Sequence, residues 1–209
     1  MKRILLATGN KFKLAQMQYV SDYFKIGVRV LPARDIFGSL AKFDKLGKTP
    51  KDVALRGAKM IYGKVKRPIV TEETFLEVKS LNNFPGIKTI PFVKTKGRKA
   101  LLAMMAGEDK RDAVMKSAVT FINVKGEVQT FTHKIEGRIA EEERWNKGPL
   151  WVSPEEKDWG GWFNAVFIPK GKKKTLAELT AEQLIQHGYR EKTFKKSLEA
   201  IKKEPEPEI

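Results

Sequence analysis

The chain has 209 residues, 41% of them hydrophobic, with 41 Lys and Arg against 25 Asp and Glu and a formal charge of +16. A chain of this length and apolar content can bury a substantial core, as one large domain or two small lobes, so disorder throughout is excluded. There is no Cys and there are only two His, which excludes a disulfide framework, a thiol nucleophile and a Cys- or His-built metal centre, and leaves oxygen ligands for any metal.

The charge is uneven. Residues 1–70 carry 16 basic and 4 acidic side chains, while residues 71–209 carry 25 and 21. The first third is therefore the place to expect an anionic partner, either nucleic acid or a small polyanion such as a nucleoside triphosphate, with solubilising lysine as the plain alternative. The apolar run Ile4 to Ala7 falls far short of a signal peptide's core or of the roughly 20 residues of a membrane span. The expectation is a soluble, cytoplasmic protein with no membrane partner.

In chain order, Ile4 to Ala7 reads as a strand, closed by Thr8, Gly9 and Asn10. Leu14, Met17, Val20 and Phe24 then recur at helical steps. Val28 to Leu31 is a second strand, and Thr49 before Pro50 is a helix start with a capping hydroxyl. Ala54, Ala58, Ile61, Tyr62 and Val65 form one apolar stripe, and Pro68 to Thr71 returns as a strand, completing a βαβαβ order. Further on, Arg98 to Ala106 reads as a helix closed by Gly107, and Ala113 to Val124 with Val128 to Ile135 as a hairpin. All four Trp fall within residues 145–162; a strand follows at Val166 to Ile168, then a basic loop at Gly171 to Lys174. Thr180 and Gln183 make a capping box, and Glu191 to Lys203 is an amphipathic helix with Phe194, Leu198 and Ile201 inward.

Two segments carry the chemistry. ATGNKFK places Thr8, Gly9, Asn10 and Lys13 between a strand and a helix start. Free backbone N–H groups, a hydroxyl, the helix dipole and a lysine there suit phosphate oxygens, although Asn10 is equally a helix cap. TEETFLEV, residues 71–78, sets Glu72 and Glu73 directly after a buried-looking strand. At the carboxyl end of a strand such acids can hold a divalent cation or orient a water, although neighbouring Glu residues are often simply solvated. His133 reads as a packed or surface residue, and the lysines at 172–174 as a solvated loop.

Together with EETFLEVKSLNNFPGIKT at 72–89, EGRIAEEER at 136–144 and VFIPKGKKKTLAEL at 166–179, these segments resemble the inosine triphosphate pyrophosphatase family, also called the Ham1 family, from Lys2 to about Lys202. The resemblance implies an α/β fold: a curved mixed sheet with flanking helices forming two lobes around a central cleft, usually in a homodimer. It implies a single two-lobed domain over residues 1–203, with 204–209 as a frayed tail. It also implies Mg²⁺-dependent hydrolysis of inosine, xanthosine and deoxyinosine triphosphates to the monophosphate and pyrophosphate. By that likeness Thr8, Gly9, Asn10, Lys13 and Lys174 would bind phosphate, Glu72 and Glu73 would be the catalytic and metal-binding acids, and Trp162, Phe163 and Arg190 would meet the base.

The chain also departs from the family pattern. A Glu three positions after the phosphate-binding Lys is Gln16; a metal-associated Glu is Gly38; the Gly after the acidic pair is Phe75. GFGYDP becomes GGWFNA, with Asn164 in the Asp position, and SHR reads Gly188, Tyr189, Arg190. These changes motivate a second expectation, a catalytically silent homologue that binds nucleotide or serves in protein assembly. The basic first third motivates a third, nucleic-acid binding.

Overall fold

A computed structural model of the chain describes residues 1–148, 151 and 163–205. Strand β1 (Lys2–Leu6) opens the chain, and Asn10 ends the following turn by accepting the Phe12 N–H at 2.9 Å, which starts helix α1 (Lys11–Tyr23). Strand β2 (Val28–Pro32) lies parallel to β1 with Lys2 opposite Val28. A short helix α2 (Ala33–Phe37), with no periodicity to announce it, precedes α3 (Pro50–Val65). Thr49 and Asp52 cap α3 reciprocally, side chain to backbone in both directions, and Pro50 occupies the position where a missing N–H costs nothing.

Strand β3 (Ile69–Val78) corrects the expected end at Thr71. It runs ten residues, and Glu72 and Glu73 lie inside it instead of at its carboxyl end. Both acids are buried and neutralised by cations, so charge does not terminate the strand. After the short strand β4 (Phe84–Pro85) comes helix α4 (Thr89–Met104), which starts at Thr89 instead of Arg98 and is interrupted at Gly97. There φ is +74°, a left-handed value that glycine reaches without strain. The expected helix is the part beyond that break.

Strands β5 (Asp112–Ile122) and β6 (Val128–Ile139) are joined by a turn that Asn123 organises, its Oδ1 accepting the N–H groups of Lys125 and Glu127 at 3.0 Å each. Strand β7 (Phe167–Pro169), helix α5 (Ala181–His187) with its Thr180–Gln183 capping box, and helix α6 (Glu191–Lys203) complete the chain. The inward positions expected on α6, Phe194, Leu198 and Ile201, are all buried.

The strands form one seven-stranded sheet in the order β2-β1-β3-β5-β6-β7, with β4 on β3. It is mixed: β1 pairs parallel with β2 and β3, whereas β4 on β3 and β7 on β6 are antiparallel. This is the expected α/β class. The chain divides into two compact units. The first comprises residues 1–73, 117–133 and 190–209; the second comprises 74–116 and 134–189. In the first unit Leu5, Ala33, Ala58, Ile61, Ile69 and Ile122 form a buried cluster that fixes β1, β3 and α3 against one another. In the second unit the core gathers Leu76, Met105, Phe163, Phe167, Leu184 and Tyr189.

Glu204, the first residue of the tail expected to fray, accepts hydrogen bonds from Asn123 Nδ2 at 2.8 Å and Gln129 Nε2 at 3.3 Å. Residues 206–209 lie outside the described residues. Among the described residues no helix is long and apolar enough to cross a membrane. Replacing the helix cap Thr49→Ala is expected to lower stability by about 1 kcal/mol, read as a shifted denaturant midpoint with an unchanged slope.

Candidate active site

The turn after β1 builds one wall of a cavity in the first unit. Asn10 donates its backbone N–H to Thr8 Oγ1 at 3.1 Å, and its own side chain is spent on capping α1. That leaves Thr8 and Gly9 on the cavity wall, while Asn10 is not among the lining residues. The cavity holds about 490 Å³ and is lined by Thr8, Gly9, Lys13, Glu72 and Glu73 together with Arg34, Lys42, Lys45, Lys64, Asp44, Phe43 and Met60. That volume is in the range of small-molecule sites. Thus Thr8, Gly9, Lys13, Glu72 and Glu73, expected to act together, share one concavity.

The two carboxylates have different surroundings. Lys13, in the first turn of α1, places Nζ 2.6 Å from Glu72 Oε2 and 3.2 Å from the Glu72 carbonyl oxygen. Arg190 donates through Nε to Glu72 Oε1 at 3.1 Å, and Ser117 Oγ reaches the same oxygen at 3.4 Å. Both oxygens of Glu72 are therefore engaged by cations. Glu73 pairs through Oε2 with Lys45 at 2.8 Å, and that lysine is well exposed where the glutamate is buried. An exposed partner of this kind is weakly held and easily exchanged for a ligand.

Beneath Glu72 the polar contacts continue. Gln16 accepts from Arg190 Nη1 at 3.2 Å and donates from Nε2 to Glu191 Oε1 at 2.6 Å. Ser117 and Thr193 share a hydrogen bond of 3.1 Å, and Thr193 Oγ1 donates to the Arg190 carbonyl at 2.7 Å. Burial pulls the Lys13 ammonium below the usual lysine range, with Glu72 and Glu73 opposing and Lys45 and Arg190 reinforcing. Burial likewise pushes the Glu191 carboxyl up, against smaller opposing contributions from its backbone contact, Gln16 and Arg190.

Arg190 is buried and bonded to Glu72 and Gln16. Phe163 is a core residue of the second unit, and Lys174 is exposed on a loop of that unit. Trp162 lies outside the described residues. Of the departures, Phe75 is buried and absent from the cavity lining, Asn164 is buried and donates to the Trp151 carbonyl at 3.2 Å, and Tyr189 packs in the second unit's core.

Sequence reasoning missed Arg34, Lys42, Lys45 and Lys64, whose only signal was the basic bias of the first third, and Glu191, marked only as the start of the last helix. Among the described residues Arg34, Lys42 and Lys64 have no carboxylate partner. The oxygen donors of the cavity, Glu73 with Asp44 nearby, fit a hard divalent cation held by one or two carboxylates and substrate phosphates. No group of three or more His, Cys, Asp or Glu suited to hold a metal alone occurs among the described residues.

The raised Glu191 pKa has a definite sign for stability. The unfolded chain ionises this carboxyl from about pH 4.3 upward while the folded chain resists, so the folded state loses stability as pH rises through that window. Glu191→Gln removes the titration, so its melting temperature relative to the parent chain is expected to be higher at pH 7 than at pH 4. Parallel melting curves across that range measure it.

Comparison with known proteins shows the family. Residues 4–200 match the sequence model of the Ham1 family. The dITP/XTP pyrophosphatase of Methanopyrus kandleri is 29% identical over 200 residues, covering 96% of each chain. That of Hyperthermus butylicus is 31% identical over 189 residues, covering 90% of this chain and 89% of its own. The solved structure of a HAM1 protein from Coxiella burnetii superposes with a TM-score of 0.73 at 20% identity, over 96% of this chain and 98% of that one, a likeness of fold. With nearly its whole length matched in sequence and in fold, and Thr8, Gly9, Lys13 and the paired acids lining one cavity, the chain belongs to the Ham1 family.

Proposed function

We propose that the chain hydrolyses non-standard or modified purine nucleoside triphosphates to the monophosphate and pyrophosphate. The observation that carries this reading is the cavity in which a buried lysine, exposed cations with no carboxylate partner among the described residues, and a buried carboxylate with an exchangeable partner converge. Its support from relatives is that those matching nearly the full chain are named dITP/XTP pyrophosphatases.

In this reading Thr8, the Gly9 backbone, Lys13, Arg34, Lys42 and Lys64 hold the polyphosphate. Glu73 exchanges Lys45 for a water and takes a proton as that water attacks the α-phosphorus. The new O–P bond forms as the bond from the α-phosphorus to the bridging oxygen breaks, and pyrophosphate departs with the electron pair. A divalent cation, Mg²⁺ by the chemistry of the donors, would sit with Glu73 and Asp44 and supply charge neutralisation on the phosphates. Glu72 anchors Lys13, because both its oxygens are engaged. No base contact is assigned to Phe163 or Arg190. A homodimer belongs to the same reading by family resemblance, and light scattering at twice the chain mass checks it.

Pyrophosphate release from a panel of inosine, xanthosine, deoxyinosine and ordinary nucleoside triphosphates with Mg²⁺ tests the reaction. Turnover of the first three above the ordinary purines is expected, and no turnover of any of them removes the enzymatic claim. Glu73→Gln is expected to lower kcat about 10²- to 10⁴-fold, the usual contribution of a general base, with KM changed far less. The Lys45–Glu73 ion pair favours a second reading, binding without turnover, in which calorimetry finds nucleotide affinity and the release assay stays silent.

A further inference from the structure

Five buried side chains of the first unit connect in single file from helix α6 to the cavity. Glu191 Oε1 accepts from Gln16 Nε2 at 2.6 Å; Gln16 Oε1 accepts from Arg190 Nη1 at 3.2 Å. Arg190 Nε then donates to Glu72 Oε1 at 3.1 Å, and Glu72 Oε2 meets Lys13 Nζ at 2.6 Å. Each member is at most 8% exposed, and only Glu72 and Lys13 line the cavity.

The polarity of this file allows one arrangement. An amide has donors at one end and an acceptor at the other, so Gln16 must turn its oxygen to the Arg190 guanidinium and its nitrogen to Glu191. Reversed, it would set N–H groups against a guanidinium that has only N–H groups. Glu191 supplies the acceptor that keeps the amide this way round. The guanidinium is planar, so bonds from Nη1 to Gln16 and from Nε to Glu72 fix its plane at two points. Its backbone is tied as well, since Thr193 Oγ1 donates to the Arg190 carbonyl at 2.7 Å.

We propose that Glu191 is a positioning residue for the phosphate-binding ammonium of Lys13, acting through Gln16, Arg190 and Glu72. The inference rests on the reading of the cavity as a polyphosphate site. Glu191 is not among the cavity-lining residues; what it supplies is an oxygen acceptor. Without that acceptor the Gln16 N–H is buried and unsatisfied, a costly state that the amide leaves by turning. Arg190 then loses its Gln16 anchor, and Glu72 and Lys13 lose a single resting geometry. Glu191 Oε2 is buried without a hydrogen-bond partner, so Oε1 carries the function. A carboxamide at this position keeps that oxygen.

The probe is inorganic tripolyphosphate, titrated calorimetrically into the full chain at neutral pH and fixed ionic strength. Glu191→Gln is expected to bind within about twofold of the parent, and Glu191→Ala about tenfold more weakly, the size of one buried hydrogen-bond donor left unsatisfied. In the pyrophosphate-release assay the same Ala variant is expected to raise KM about tenfold with kcat within about threefold, a split that lost stability alone does not produce. Should the Ala variant fail to fold by circular dichroism, Gln16→Met breaks the file at its second member and is expected to weaken binding equally. Unchanged tripolyphosphate affinity in a folded Ala or Met variant overturns the inference, as does equal weakening in Glu191→Gln. If the parent chain binds no tripolyphosphate, the polyphosphate reading of the cavity falls, and this inference with it.

Discussion

Burying an ammonium is unfavourable unless a carboxylate and further hydrogen bonds replace its water, and Lys13 meets that condition through Glu72. The carboxylate is shared: a single Glu72 answers both Lys13 and Arg190. Two cations thus face one anion, with Lys13 and Glu72 on the cavity lining and Arg190 outside it. Glu191, beyond Gln16, is driven toward its neutral form by burial, so it does little to cancel the excess. Around the rim, Lys45 and Glu73 cancel, while Arg34, Lys42 and Lys64 outnumber Asp44. The cavity is positive both at depth and at the mouth, an arrangement that draws in a polyanion and strengthens its binding where water is excluded.

The position of the acids inside β3 shapes what each can do. A carboxylate on a loop at the end of a strand would be free to follow a ligand. Here the backbone of Glu72 and Glu73 is held within the sheet, so the site responds to a ligand by changing side-chain partners, with Lys45 the most exposed of them. Rigid placement suits a reaction in which a proton acceptor and a phosphorus atom must be set within a fraction of an ångström. The burial of Glu72 on this strand is in turn possible only because α1 and α6 deliver Lys13 and Arg190 to it.

What could be read from the chain alone follows the range of the interactions. The Asn10 cap, the Thr49–Asp52 box, the Thr180–Gln183 box and the stripe of Phe194, Leu198 and Ile201 depend on residues a turn or two apart, and the spacing displays them. The TGN turn and Lys13 stood out for the same reason. The extent of β3 was hidden because a local reading treats Glu72 and Glu73 as solvent-seeking. The burial of Glu72 is set by Lys13, 59 residues earlier, and by Arg190, 118 residues later, while Glu73 is paired with Lys45. Glu191, 175 residues from Gln16, showed in sequence only as an acidic helix start. Lys42, Lys45 and Lys64 were visible as an excess of charge and not as individuals, since nothing local marks which lysine of a basic segment turns inward to a cavity.

The Gln at position 16, where the family pattern has Glu, takes on a different meaning once its neighbours are known. Glu191 Oε1 lies 2.6 Å from the Gln16 nitrogen. A carboxylate at position 16 would bring two buried acids to hydrogen-bond distance, a contact that holds only while Glu191 keeps the proton that burial favours. Position 16 must offer a donor toward Glu191 and an acceptor toward Arg190, and an amide does both with no proton to lose. Gln16 and Glu191 are therefore a matched pair: each is tolerable in the interior because of the other. A substitution that in isolation looks like the decay of an acidic site is, in the folded chain, the half of an exchange that keeps Arg190 on Glu72 and Glu72 on Lys13.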